Sequence, residues 1–323
     1  MHLRPWLAAL LALILTLGAS ACAPLPSLSP AVFEALSPAQ QRALPPRPAG
    51  SPDVLIFGIS GRCGPPCQAP QDNWDYLSER GTLKAVAAVF EQRGLRTEVE
   101  GYAERIATDF TSRRSKLPQR GILDLLADYQ RLTNGLVLGR SNPARVIIVG
   151  HSHGAVWGHY LSRLFGQVPV AALIDLDANC VAWNADHSAE TVAATSAVWQ
   201  GDPQRSPLLA CSNVRIGGQT ARLKDLVWPN VSVNLEVQSK RLPASGGDVP
   251  GFYVNYLFDL TSNQRPGGDK ASIQTFVSVH EDHSGVSYPG SQAVQWVTGQ
   301  LSKLPWLPPL PIPALPITLP TSR

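Results

Sequence analysis

Gly150-His151-Ser152-His153-Gly154 follows the apolar run Val146–Val149 and leads into a helical pattern from Ala155 to Phe165, which Gly166 stops. A serine hydroxyl becomes a nucleophile only when a base takes its proton, so a histidine has to reach Ser152. A strand that turns directly into a helix holds the residue at its apex in a strained conformation and lifts that side chain clear of the sheet. The helix start adds free N–H groups and a positive dipole end for a developing oxyanion. Gly150 and Gly154 suit this turn, because side chains at these positions would collide with the close-packed strand and helix. His151 and His153 flank the apex and point away from it, so the base comes from a distant loop. In "SVHEDHSGV", His280 closes a strand and His283 stands in the loop beyond it. The imidazole in turn needs a carboxylate to fix its tautomer. "ALIDLDANC" offers Asp175 and Asp177.

The elements that position these residues are legible as alternating apolar runs and helical patterns. Strands are expected in "DVLIFGIS", "LRTEVEGY", "RVIIVG", "VPVAALIDLD", "NVSVNLEVQS" and "IQTFVSVH". Helices are expected in "GTLKAVAAVFEQRG", at about 122–132, from Ala155 to Phe165 and in "SQAVQWVTGQL". This alternation predicts an α/β fold: a mostly parallel, doubly wound sheet with helices on both faces. In such sheets functional groups gather beyond the carboxyl ends of the strands, where Ser152 falls.

The Gly-His-Ser-His-Gly sequence after a hydrophobic strand resembles the nucleophile elbow of the α/β-hydrolase superfamily, in particular its lipase and esterase branch. The resemblance covers the architecture of about 53–299 and the motifs at a few points. It implies the chain order serine, acid, histidine, which favours His283, in Asp-His-Ser-Gly-Val, over His280. "DLDAN" is similar to the Leu-Asp-Pro-Ala turn that carries the acid in some lipases, which favours Asp177, with Asp175 as an alternative; many members of the superfamily place the acid after the next strand, which brings in Glu236 and, less directly, Asp248 or Asp259. The implied oxyanion donors are the backbone N–H groups of His153 and, in the loop after the first strand, Ile59 of Phe57-Gly58-Ile59, with Ser60 its neighbour. The implied activity is carboxylic-ester hydrolysis through an acyl-enzyme, on a small ester or lipid. An acyltransferase or amidase using the same triad, and an inactive surface lipoprotein with a binding role, are the alternatives.

The rest of the chain bounds these readings. Of 323 residues, 44% are hydrophobic and 16% charged, enough for a large core, and the formal charge of +3 comes without a basic block, so nucleic acid is not an expected partner. Residues 1–22 read as an export signal peptide with a lipobox-like end at Cys22, which implies attachment to a membrane through a lipid on that cysteine; ordinary cleavage after Ala19-Ser20-Ala21 and free secretion is the alternative. Setting Cys22 aside leaves four cysteines, and proximity pairs Cys63 with Cys67 and Cys180 with Cys211, as suits an oxidising compartment. The three-residue spacing of Cys63 and Cys67 is longer than a redox Cys-x-x-Cys, which makes a structural brace the expected role. Residues 23–52 read as a Pro/Ala/Ser-rich linker, 53–303 as the hydrolase-like domain with a possible cap at 178–228, and 304–323 as an extended Pro-rich tail. His151, His153, His280, Glu281, Asp282 and His283 include zinc-ligand types, but they lack an H-E-x-x-H spacing. No metal or cofactor is expected.

Overall fold

The computed structural model describes residues 25–28, 34–64, 66–198, 203–241 and 261–307. Cys22, Asp248, Asp259 and the tail beyond 307 lie outside the described residues. Six strands form the central layer: β1 (Val54–Ile59), β2 (Thr97–Tyr102), β3 (Arg145–His151), β4 (Val170–Leu176), β5 (Val231–Arg241) and β6 (Ile273–Asp282). They lie in the order β2-β1-β3-β4-β5-β6, and every pair is parallel. The chain leaves β1 for β2 on one side and returns to β3 on the other, which opens a crevice beyond the carboxyl ends of β1 and β3.

Both faces of the sheet are covered. Leu55, Phe57 and Ile59 of β1 and Val146 and Ile148 of β3 pack with α2 (Ile122–Leu136) and α3 (His153–Leu164). The alternate residues Val54, Ile56, Ile147 and Val149 pack with α1 (Thr82–Glu91) and α5 (Gln292–Leu301). Strands buried on both sides read as continuous apolar runs, as β1 and β3 do. A fifth helix, α4 (Trp183–Val198), was not expected; the side chains it buries include Asp186 and His187 beside Trp183, so it carries no apolar stripe of helical period.

Two described parts of residues 23–52 dock on the domain. Ser27 and Leu28 form a short parallel strand against Asn213–Ile216, and Leu28 is buried with Val214, Ile216 and Trp228. Further on, Arg47 pairs with Asp53, and Ser141 N–H donates to Pro45 O at 3.0 Å. These segments dock because one apolar side chain and several backbone groups find partners on the domain. The first residues of the tail also pack down, with Trp306 stacked on Phe90 at 6.1 Å between ring centres. Disulfides join Cys63 to Cys67 and Cys180 to Cys211.

Candidate active site

Ser152 stands between the end of β3 and the first residue of α3 with φ 59° and ψ −128°, a strained combination for a residue with a side chain. The neighbouring glycines explain how the turn closes. A Cβ on Gly154 would overlap the carbonyl oxygen of Ile59, and one on Gly150 would overlap the Ala155 backbone. A Cβ on Gly61 would overlap the Ser152 side chain and the His151 carbonyl, so the loop after β1 passes directly over the serine.

His283 comes from the loop just after β6. Its Nδ1–H donates to Asp177 Oδ2 at 2.7 Å. Asp177 lies one residue past β4 with φ 58°. Strand alternation would send Asp175 and Asp177 to the same side of the sheet, but the left-handed turn at Asp177 redirects its carboxylate. Ser239 of β5 holds that carboxylate through its N–H (2.9 Å) and its hydroxyl (2.5 Å). With Nδ1 carrying the proton, His283 Nε2 presents a lone pair.

That lone pair faces a residue that did not stand out in the sequence. Asn179 Nδ2 lies 3.1 Å from His283 Nε2 and donates to Ser152 Oγ at 2.9 Å. Its Oδ1 accepts the Val181 N–H at 3.1 Å, which fixes the orientation of the amide. The amide therefore links the serine to the histidine in the resting protein.

The histidines flanking Ser152 have separate partners. Gly61 N–H donates to the Tyr76 hydroxyl (2.6 Å), which donates to His151 Nδ1 (2.5 Å), and His151 Nε2–H donates to the His283 carbonyl (2.6 Å). Burial, with His283 alongside, holds His151 well below its usual 6.5, which matches this neutral, one-proton chain. His151 thus ties the loop over the serine to the backbone of His283. The His153 side chain turns inward to Glu104. His153 is the first residue of α3, so its N–H has no intrahelical acceptor.

Ile59 lies inside β1, between Gly150 and Tyr102, and Ser60 N–H is spent on Tyr102 O at 2.9 Å. The loop continues with Gly61, whose N–H goes to Tyr76, and Cys63, whose N–H goes to Asn73 Oδ1. Arg62 lines the pocket with Ser152, and among the described residues its N–H has no acceptor. The donor expected at Ile59 thus lies at the end of the ladder, because the strand runs on through that residue.

The alternative acids are engaged elsewhere. Asp175 Oδ2 accepts from His159, Asn234 and Asn263, and Glu236 accepts from Asn263 N–H and Thr275. His280 is exposed within β6. A pocket of about 560 Å³ opens over Ser152 and His283, lined also by Trp74, Tyr76, Asn179 and Val181, with Arg62, Arg80 and Arg114 around it. No protein-family model matches the chain, and no curated protein matches it in sequence.

Proposed function

We propose that the protein is an exported serine hydrolase of carboxylic esters, built on an α/β-hydrolase fold. The observation that carries this reading is the Asp177–His283 pair, brought from two separate strand ends to the serine at the strained β3–α3 turn. As the ester seats, the Ser152 hydroxyl takes over the His283 Nε2 lone pair from Asn179. Ser152 Oγ then attacks the acyl carbon while His283 accepts its proton, and Asp177 stabilises the imidazolium that forms. The N–H groups of His153 and Arg62 receive the oxyanion. Collapse of the tetrahedral intermediate expels the alcohol, which takes the proton from His283 and leaves an acyl-serine. Water, deprotonated by the same histidine, attacks the acyl carbon and releases the acid.

The aromatic and aliphatic lining of the pocket, Trp74, Tyr76 and Val181, suits the acyl part of a small ester or lipid. Two disulfides fit an oxidising compartment, and a lipid on Cys22 would hold the enzyme at a membrane. The test is labelling of the purified mature protein with a fluorophosphonate, which traps activated serines. Wild type is expected to label and Ser152→Ala is not. A folded wild type that stays unlabelled overturns the reading.

A further inference from the structure

Behind the elbow, three side chains with no part in the proposed proton transfer converge. Glu104 follows β2, His153 opens α3 and His187 lies on α4, and all three are fully buried. Glu104 Oε1 lies 2.9 Å from His153 Nδ1 and 2.5 Å from His187 Nε2, and one ligand atom from each residue falls within 4.8 Å of the other two.

Hydrogen bonding around the cluster assigns the lone pairs. His153 Nε2 lies 2.7 Å from the Val181 carbonyl, which can only accept, so Nε2 carries the proton. The other ring nitrogen, Nδ1, faces the Glu104 carboxylate and is the atom available to a ligand between them. His187 is 0% exposed, yet neither ring nitrogen makes a hydrogen bond of acceptable geometry among the described residues. Its close approach to Glu104 is therefore proximity without a well-directed bond. The second oxygen, Glu104 Oε2, accepts from Asn73 Nδ2 at 2.6 Å, which orients the carboxylate. Two imidazole nitrogens and a carboxylate oxygen, within 4.8 Å of one another and closed off from solvent, match the donor types of a metal centre, with Val181 and Asn73 as outer partners of His153 and Glu104.

We propose that Glu104, His153 and His187 bind a divalent transition-metal ion, with zinc the best match to two nitrogens and one oxygen. Donors around tetrahedral zinc stand about 3.3 Å apart, so binding requires His187 and Glu104 to separate by less than about 1 Å. The fourth position falls to water or to Asp186, whose Oδ2 is 4.0 Å from His153 Nδ1 and holds Arg62 Nε at 2.6 Å. The ion would tie α4 and the loop after β2 to the first residue of α3. It would act as a structural clamp behind the serine, with no contact to substrate.

The test uses the full mature protein, stripped with a chelator and returned to metal-free buffer. Elemental analysis of the untreated protein is expected to give about one zinc per chain. Cobalt(II) added to the stripped protein is expected to produce the visible absorption of tetrahedral nitrogen–oxygen coordination. Zinc at about 100 times its Kd should raise the thermal midpoint by roughly 5–10 °C. His187→Asn and Glu104→Gln should lose the cobalt spectrum. If either variant fails to fold, the wild-type titrations still decide. A folded wild type that purifies without metal, gives no cobalt spectrum and keeps its midpoint in zinc overturns the proposal and leaves a buried imidazolium–carboxylate pair in its place.

Discussion

Two histidine–aspartate pairs lie at the carboxyl end of β4, with their acids two residues apart. His159 Nε2 meets Asp175 Oδ2 at 2.9 Å, and both side chains are 1% exposed. Asn234 and Asn263 donate to the same oxygen at 2.6 and 2.7 Å, while His159 Nδ1 is taken by the Leu226 carbonyl. Every nitrogen of that imidazole is committed, so it has no lone pair to offer a reactant. In the second pair, Asp177 is just as firmly held, by Ser239, but His283 is 16% exposed and its Nε2 opens on the pocket. An imidazole–carboxylate contact alone therefore does not distinguish the two pairs; the difference is that His283 Nε2 faces the pocket, beside Asn179, whereas both His159 nitrogens are committed within the core.

Separating the two pairs by mutation gives the largest expected effects. Asp177→Asn should lower kcat for ester hydrolysis by about 10⁴-fold, because an amide in that place stabilises the wrong tautomer of His283 and cannot balance its charge. The change is measured by steady-state kinetics beside a thermal melt, and the melt should move less than in the next variant. Asp175→Ala should do the reverse. Removing one partner of a buried pair costs about 3–5 kcal/mol, which lowers the midpoint by roughly 6–20 °C in a domain of this size. The fluorophosphonate labelling rate per folded molecule should stay within about twofold of wild type, as expected for independent sites. Loss of labelling in folded Asp175→Ala with full labelling in Asp177→Asn would exchange the roles of the two acids.

Apart from the resemblance that favoured Asp177, residue type and position could not separate the two acids, and the reason is physical. Asp175 and Asp177 share a strand end and a composition; what separates them is a left-handed turn and partners that arrive from β5 and from the segment at Asn263. The sheet was more legible. Apolar runs with flanking glycines located all six strands, and the strand-to-helix step at Ser152 placed the serine at a carboxyl end. At Ile59 the sequence suggests a loop where the ladder continues, and Arg62 stands out only once the amides around it are accounted for. Glu104 and His187 gave no local signal, since the helix bearing His187 turns polar side chains inward and Glu104 is isolated in its loop. A polar residue on a buried face breaks the periodicity on which sequence reading depends. Such positions are found only through their long-range partners.

The smallest expected effect sharpens the comparison through pH. Burial pushes the His159 pKa down, but Asp175 beside it, with the hydrogen bonds to Asp175 and Leu226, outweighs burial and leaves the group above its ordinary 6.5. The folded protein then binds this proton more tightly than the unfolded chain does. Its contribution to stability is fully present below 6.5 and is lost as pH rises through the folded value. Asp175→Asn keeps the shape of the side chain and removes the charge that holds the proton. The gap in thermal midpoint between wild type and Asp175→Asn should therefore be widest below pH 6.5 and narrow as the pH is raised, as followed by calorimetry across a buffer series. His151 has the opposite sign: held below 6.5, it costs stability as the pH falls. That cost is common to both proteins and cancels in the difference. A gap that stayed constant with pH would mean that His159 and Asp175 hold their contact without a bound proton, as a neutral hydrogen bond.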